Sequence, residues 1–122
     1  MKKMKHAYDY ESDILSFFLT DNFDYEFSQF IERSIVINYN QSNKPIGFEF
    51  LNASKSFKTN KIFLKNIDFG EIELKISEEK ITLNIKLIIK IHNKPTPLPL
   101  NISGANENQI PNIETKVAIA SM

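Results

Sequence analysis

The stretch GEIELKISEEKITLNIKLIIKIH, from Gly70 to His92, constrains the fold of this chain more than any other. Apolar residues recur at every second position on both sides of a polar centre. That period puts successive side chains on opposite faces of a strand and rules out an amphipathic helix. Folding the stretch back on itself pairs Ile76 with Ile81, Leu74 with Leu83 and Ile72 with Ile85. The same register sets Glu71 opposite Lys86 on the other face, an ion pair of roughly 0.2–1 kcal/mol. Apolar and charged positions therefore agree on one antiparallel hairpin. Ile72, Leu74, Ile76, Ile81, Leu83, Ile85, Leu87 and Ile89 are expected to share a buried face. Ile88 breaks the pattern: it points outward with Lys86 and Lys90, which calls for cover from another element or another chain.

The first half reads in the same way. Leu15, Phe17 and Leu19 alternate with Ser16, Phe18 and Thr20. Phe23, Tyr25 and Phe27 alternate with Asp24, Glu26 and Ser28. Ile35, Ile37 and Tyr39 lead into the turn-forming run NQSNKP, and Ile46, Phe48 and Phe50 follow it. A hairpin here pairs Tyr39 with Ile46, Ile37 with Phe48 and Ile35 with Phe50. Later, Pro95, Pro97 and Pro99 remove three ladder donors, so their segment is expected to run extended and irregular along a sheet edge. Leu98, Leu100 and Ile102 would anchor it. Thr115 to Ala120 suits a last short strand.

Alternation stops after Phe50. Asn52 or Ser54 can cap a helix by accepting a free backbone N–H. Lys55, Lys58, Lys61 and Lys65 would line one helical face. Asn60 and the β-favouring Ile62, Phe63 and Leu64 hold that helix to about two or three turns. The expectation is one α+β, predominantly β domain over 1–122. It is an antiparallel meander of about six to eight strands with one short helix near 53–61, its apolar face packed on that helix or on the C-terminal segment.

Composition narrows the function. The hydrophobic fraction is 42%, the charged fraction 25% and the formal net charge zero, so nothing global points to nucleic acid or anionic lipid. The absence of cysteine removes disulfides, thiolate metal sites and cysteine nucleophiles. Met-Lys-Lys-Met-Lys opens like a secretion signal, yet His6, Tyr8, Asp9 and Glu11 follow where an apolar run belongs. No stretch reaches the roughly 18 apolar residues of a membrane span. A cytoplasmic chain without a cofactor is expected. Charge is uneven locally: Asp9, Glu11, Asp13, Asp21, Asp24, Glu26 and Glu32 face only Arg33, whereas Lys55 to Lys65 holds four lysines and no acid. This reads either as solvated faces or as an acidic pole and a basic patch suited to charged partners.

Asp9, Glu11 and Asp13, at spacing two, could gather oxygen ligands for a divalent cation. The bland alternative is a turn whose Asp and Ser side chains bond the local backbone. His6 and His92 are not placed together as zinc ligands, and Ser54 lacks a nucleophile elbow or an assigned base. Tyr8 and Tyr10 beside the lysines could stack on bases, a reading that the zero net charge makes secondary.

Two segments carry a family resemblance. AYDYESDILSFFL supplies Tyr8, Asp9, Glu11 and Asp13 before a strand, and IGFEFLNAS supplies Gly47, Glu49, Leu51, Asn52, Ala53 and Ser54. Together with SIVINYN between them, Lys5 to Phe57 resembles the YuzE-like family of small domains of unknown function. Residues 58–122 then form a β-rich extension. The resemblance implies an antitoxin-like role beside a toxin-like partner. The expected function is a non-catalytic protein-binding module acting through its acidic face or an open strand edge. The alternatives are a metal-binding protein or hydrolase on Asp9, Glu11 and Asp13, and a self-associating structural protein. Phe17, Phe18, Phe23, Phe27 and Phe30 exceed what one sheet face can hide. Phe18, Phe30 and Ile88 are therefore the expected contacts with a protein partner or a second copy.

Overall fold

The computed structural model describes residues 2–19 and 25–119. Thr20, Asp21, Phe23, Asp24 and Ala120, which the sequence reading used, lie outside them. The described chain forms β1 (Lys2–Asp9), β2 (Ile14–Phe18), β3 (Tyr25–Ile31), β4 (Ile35–Asn40) and β5 (Pro45–Phe50). Two one-turn helices follow, α1 (Ala53–Ser56) and α2 (Lys61–Leu64). Then come β6 (Ile67–Ile76), β7 (Lys80–Ile91), β8 (Lys94–Ala105) and β9 (Ile113–Ile119). The nine strands make one sheet in the order β3-β4-β5-β2-β1-β9-β6-β7-β8.

The sheet is mixed, not an antiparallel meander. Lys2, Lys3 and Met4 of β1 run parallel to Val117, Ala118 and Ile119 of β9. The rest of β1 runs antiparallel to β2, with Lys5 opposite Phe18 and Asp9 opposite Ile14. One strand thus splices an N-terminal half-sheet to a C-terminal one. The halves curl so that their inward side chains form a single core, in which Leu15, Phe17, Ile37, Phe48 and Phe50 join Ile72, Leu74, Leu83, Leu87 and Val117. The expected packing on a helix or on the C-terminal segment is found only in part: Ala53, Phe57, Leu64 and Leu98 join this core, most of which is sheet against sheet. A chain with so little helix buries a sheet face most readily against more sheet. The outer strands also approach each other. Gln29 Nε2 of β3 donates to the Ala105 carbonyl of β8 at 3.2 Å, and Ile31 packs against Gly104.

The strong hairpin has the expected register, with Ile76, Leu74 and Ile72 opposite Ile81, Leu83 and Ile85. All eight of its expected core residues are buried. Glu71 does lie opposite Lys86, but the expected ion pair is not made. Glu71 Oε1 instead lies 4.0 Å from Lys116 Nζ on β9, a partner that no local pattern reveals. The first hairpin pairs Ile35 with Phe50 and Ile37 with Phe48 as expected, but an irregularity after Asn38 sets Tyr39 opposite Pro45 in place of Ile46. β8 is an edge strand, as its prolines require, yet it is regular and paired with β7 along its whole length. Pro95, Pro97 and Pro99 fall on alternate positions, where the missing N–H can face away from β7. Leu98 is buried, and Leu100 and Ile102 are partly so.

The expected single helix is split. Lys58 takes a left-handed conformation (φ 53°) after α1, and the chain restarts at Lys61. A buried side chain absent from the sequence reading braces the far end. Asn106 Nδ2 donates to the carbonyls of Ser77 (2.8 Å) and Ile110 (2.9 Å), and its Oδ1 accepts from Ile110 N (2.9 Å). This ties the β6–β7 turn to the loop entering β9.

Gly70 marks the tightest strand approach. A Cβ there would sit 2.9 Å from both the Lys86 carbonyl oxygen and Leu87 Cδ2. Gly70→Ala is expected to lower stability by roughly 1–3 kcal/mol through overpacking. Urea unfolding would report it as a lower midpoint at unchanged slope, and an unshifted midpoint would refute the crowding.

Candidate functional site

The resemblance motifs converge on Asp13. The DYESD segment closes a turn between β1 and β2, with Asp13 N donating to the Asp9 carbonyl at 2.8 Å. Asp9 Oδ1 accepts from the backbone N–H groups of Glu11 (3.1 Å) and Ser12 (3.5 Å). Ser12 is the main cause holding the Asp9 carboxyl below its usual range. Asp13, in a left-handed conformation (φ 59°), turns its buried carboxylate inward. It accepts from Tyr8 Oη at 2.6 Å, Ser54 Oγ at 2.6 Å and Ser54 N at 3.1 Å. Its own carbonyl accepts from Ala53 N at 2.9 Å.

Asp13 therefore caps α1 from 41 residues away. The expected capping by Asn52 or Ser54 is corrected. Asn52 stands at the N-cap in a left-handed conformation without a side-chain cap bond, and the Ser54 hydroxyl is spent as a donor to Asp13. Burial alone would push the Asp13 carboxyl up. The bonds from Ser54 and Tyr8 outweigh it and hold the group below its usual range. The Tyr8 hydroxyl is shifted up, first by burial and then by its bond to Asp13.

Around this clasp the acidic turn and the lysine run meet. Lys61 Nζ donates to the Tyr10 carbonyl at 3.2 Å. Lys61 and Lys65 stand 5.3 and 5.2 Å from the Tyr10 ring centroid, within cation–π range. Tyr8 meets Tyr10 edge-on at 6.4 Å. The lysines are thus turned toward the protein's own aromatic. Among the described residues, no three His, Cys, Asp or Glu side chains gather where they could hold a metal ion. Glu11 is exposed.

Gly47 fits the expected close approach, because a Cβ would lie 3.3 Å from the Phe17 carbonyl oxygen. Its backbone angle is not in the left-handed region, so unusual geometry is not the reason for it. Glu49, opposite Ser16 and Val36, is half-buried on the outer face. Leu51 N donates to the Ser34 carbonyl at 2.7 Å, holding the strand end before α1.

The three expected contact residues do not form one patch. Phe18 and Phe30 share the outer face of the N-terminal half-sheet, with Phe18 half-buried and Phe30 59% exposed. Ile88 lies on the outer face of the other half, opposite Phe69 and Pro97. Tyr25, which the alternation set on one face with Phe27, is exposed on β3 after a register shift between the two, and Phe69, which is 57% exposed, escaped the sequence reading. An irregularity in the β6 register between Ile67 and Phe69 turns Phe69 outward, and nothing in the alternation announces it.

With this geometry in hand, residues 5–54 match the family described as "Protein of unknown function (DUF2283)". The chain is 31% identical over 107 residues to a Methanosarcina mazei protein named "Putative hypoxanthine phosphoribosyltransferase", covering 88% of this chain and 85% of that protein. It is 32% identical over 114 residues to an uncharacterized protein of Methanocaldococcus jannaschii, covering 88% of this chain and 97% of that protein. Both similarities are too long to stop at Phe57, so they extend over most of residues 58–122 as well. No solved structure matches the chain. Among the described residues, no helix is long and apolar enough to cross a membrane.

Proposed function

This chain belongs to the family of these two proteins and carries a match to the DUF2283 domain of unknown function over residues 5–54, and from that premise we propose that it is a non-catalytic protein-binding module. The finer placement beside the YuzE-like proteins, with its antitoxin-like role, is part of the same proposal. The observation that carries it is the outer strand β3. It presents Tyr25 and Phe30 to solvent, with the exposed Glu26 and Glu32 beside them. Large aromatics at a sheet edge, rimmed by two acids against the single exposed base Arg33, suit a partner segment that is apolar and mainly basic.

The motif residues support a structural part for the rest of the domain. Asp13, Tyr8 and Ser54 spend their polar atoms on one another, and the lowered pKa of Asp13 leaves that carboxylate a poor base for activating the Ser54 hydroxyl. The transferase name of the Methanosarcina mazei relative finds no support here. Gripping a phosphate by a helix start needs free backbone N–H groups and a positive end. Both described helices have four residues, and the start of α1 already faces the Asp13 carboxylate.

The test is retention of a protein partner from the native cell on immobilised wild type and on Phe30→Ser. A stoichiometric partner should bind the wild type, and the variant should bind about tenfold or more weakly at unchanged melting temperature. A partner held equally by both forms, or a turnover lost in an Asn52→Ala, Ser54→Ala variant at unchanged melting temperature, would overturn the reading.

A further inference from the structure

The outer face of the C-terminal half-sheet carries an apolar row in a place that alternation should leave polar. Phe69, Ile88 and Pro97 stand side by side on β6, β7 and β8. Two separate departures bring them together: the register irregularity that turns Phe69 outward, and an isoleucine at a position flanked by Lys86 and Lys90. Phe69 and Ile88, with Gly70 and Ala118, line a shallow groove of about 540 Å³, rimmed by Glu71 and Lys86.

We infer that this face pairs with the same face of a second copy of the chain. In a two-fold interface a patch meets itself, so it must carry both signs of charge or neither. Here the rim holds one acid and one base. Glu71 leans toward Lys116 at 4.0 Å, and among the described residues Lys86 has no ion-pair partner in its own chain. A second copy brings its Glu71 to Lys86 while the two apolar rows bury each other. A one-signed partner would leave either Glu71 or Lys86 facing its own sign. This surface lies on the half-sheet opposite Phe30, so the inference does not depend on the β3 reading.

The experiment is sedimentation equilibrium of the full chain from about 1 µM to about 1 mM. The wild type should fit a monomer–dimer equilibrium. Phe69→Ser and Ile88→Ser should each raise the dissociation constant about tenfold or more, at unchanged circular dichroism. Glu71→Lys and Lys86→Glu should each weaken the dimer, and their combination should restore it, which a mere loss of folding would not do. Phe30→Ser should leave the dimer intact. A wild type that is monomeric throughout, a dimer indifferent to Phe69→Ser and Ile88→Ser, or charge reversals that do not rescue each other would overturn the inference.

Discussion

Asp13→Asn should lose about 3 kcal/mol of folding stability at neutral pH, because several donors in a buried site lose a charged acceptor. Asparagine keeps the volume and tolerates the left-handed backbone at this position, so the loss isolates the carboxylate. Tyr8→Phe and Ser54→Ala should each cost less, and neither should add fully to Asp13→Asn, since all three act on one cluster. The pH dependence follows from the lowered Asp13 pKa. A carboxylate whose pKa is depressed on folding stabilises fully above its unfolded value, about 3.9. That contribution is lost as pH falls from there through the lower folded value. The gap between wild type and Asp13→Asn should therefore narrow below about pH 4. Urea unfolding across pH measures it. A gap independent of pH, or a melting temperature that rises with divalent ions and falls with chelator, would return the acidic turn to a ligand-binding role.

Leu83→Ala should be of similar size, roughly 2–5 kcal/mol. Leu83 is fully buried between Leu74 on β6 and Ile102 on β8, in the middle of a strand that cannot collapse into the space left behind. Asn84→Ala, one residue on and on the outer face, should stay within about 0.5 kcal/mol. Domains of this kind are stable by only about 5–15 kcal/mol, so the first change removes a large share. Comparable losses at both positions would mean that the two faces of β7 are assigned the wrong way round.

What could be read from the sequence was what the chain encodes locally. The β6–β7 register was legible because apolar and charged residues on two adjacent strands point to the same pairing. The edge position of β8 was legible because three prolines forbid a second neighbour. Interactions that span the chain were not. The parallel pairing of Lys2–Met4 with Val117–Ile119 joins residues with no shared pattern, so the mixed sheet read as a meander. Asp13 looked like a turn residue or a metal ligand because its donors come from Tyr8 on one side and from Ser54, far along the chain, on the other. Phe69 was missed because a single irregular position reverses its face, and alternation cannot register that. Glu71 chose Lys116 over Lys86 because β9 lies beside β6, a neighbour that only the finished sheet supplies.

The splice through β9 also has a temporal consequence. During synthesis the N-terminal hairpins leave the ribosome first, yet β1 and β6 both wait for β9, which emerges after every other described strand. Until then each half-sheet carries a raw edge and an uncovered greasy face, the condition under which nascent chains aggregate or recruit chaperones. Pairing of such distant segments is slow. This molecule should thus complete its fold only once β9 has emerged, which makes that strand the gate between a vulnerable nascent chain and a protected one.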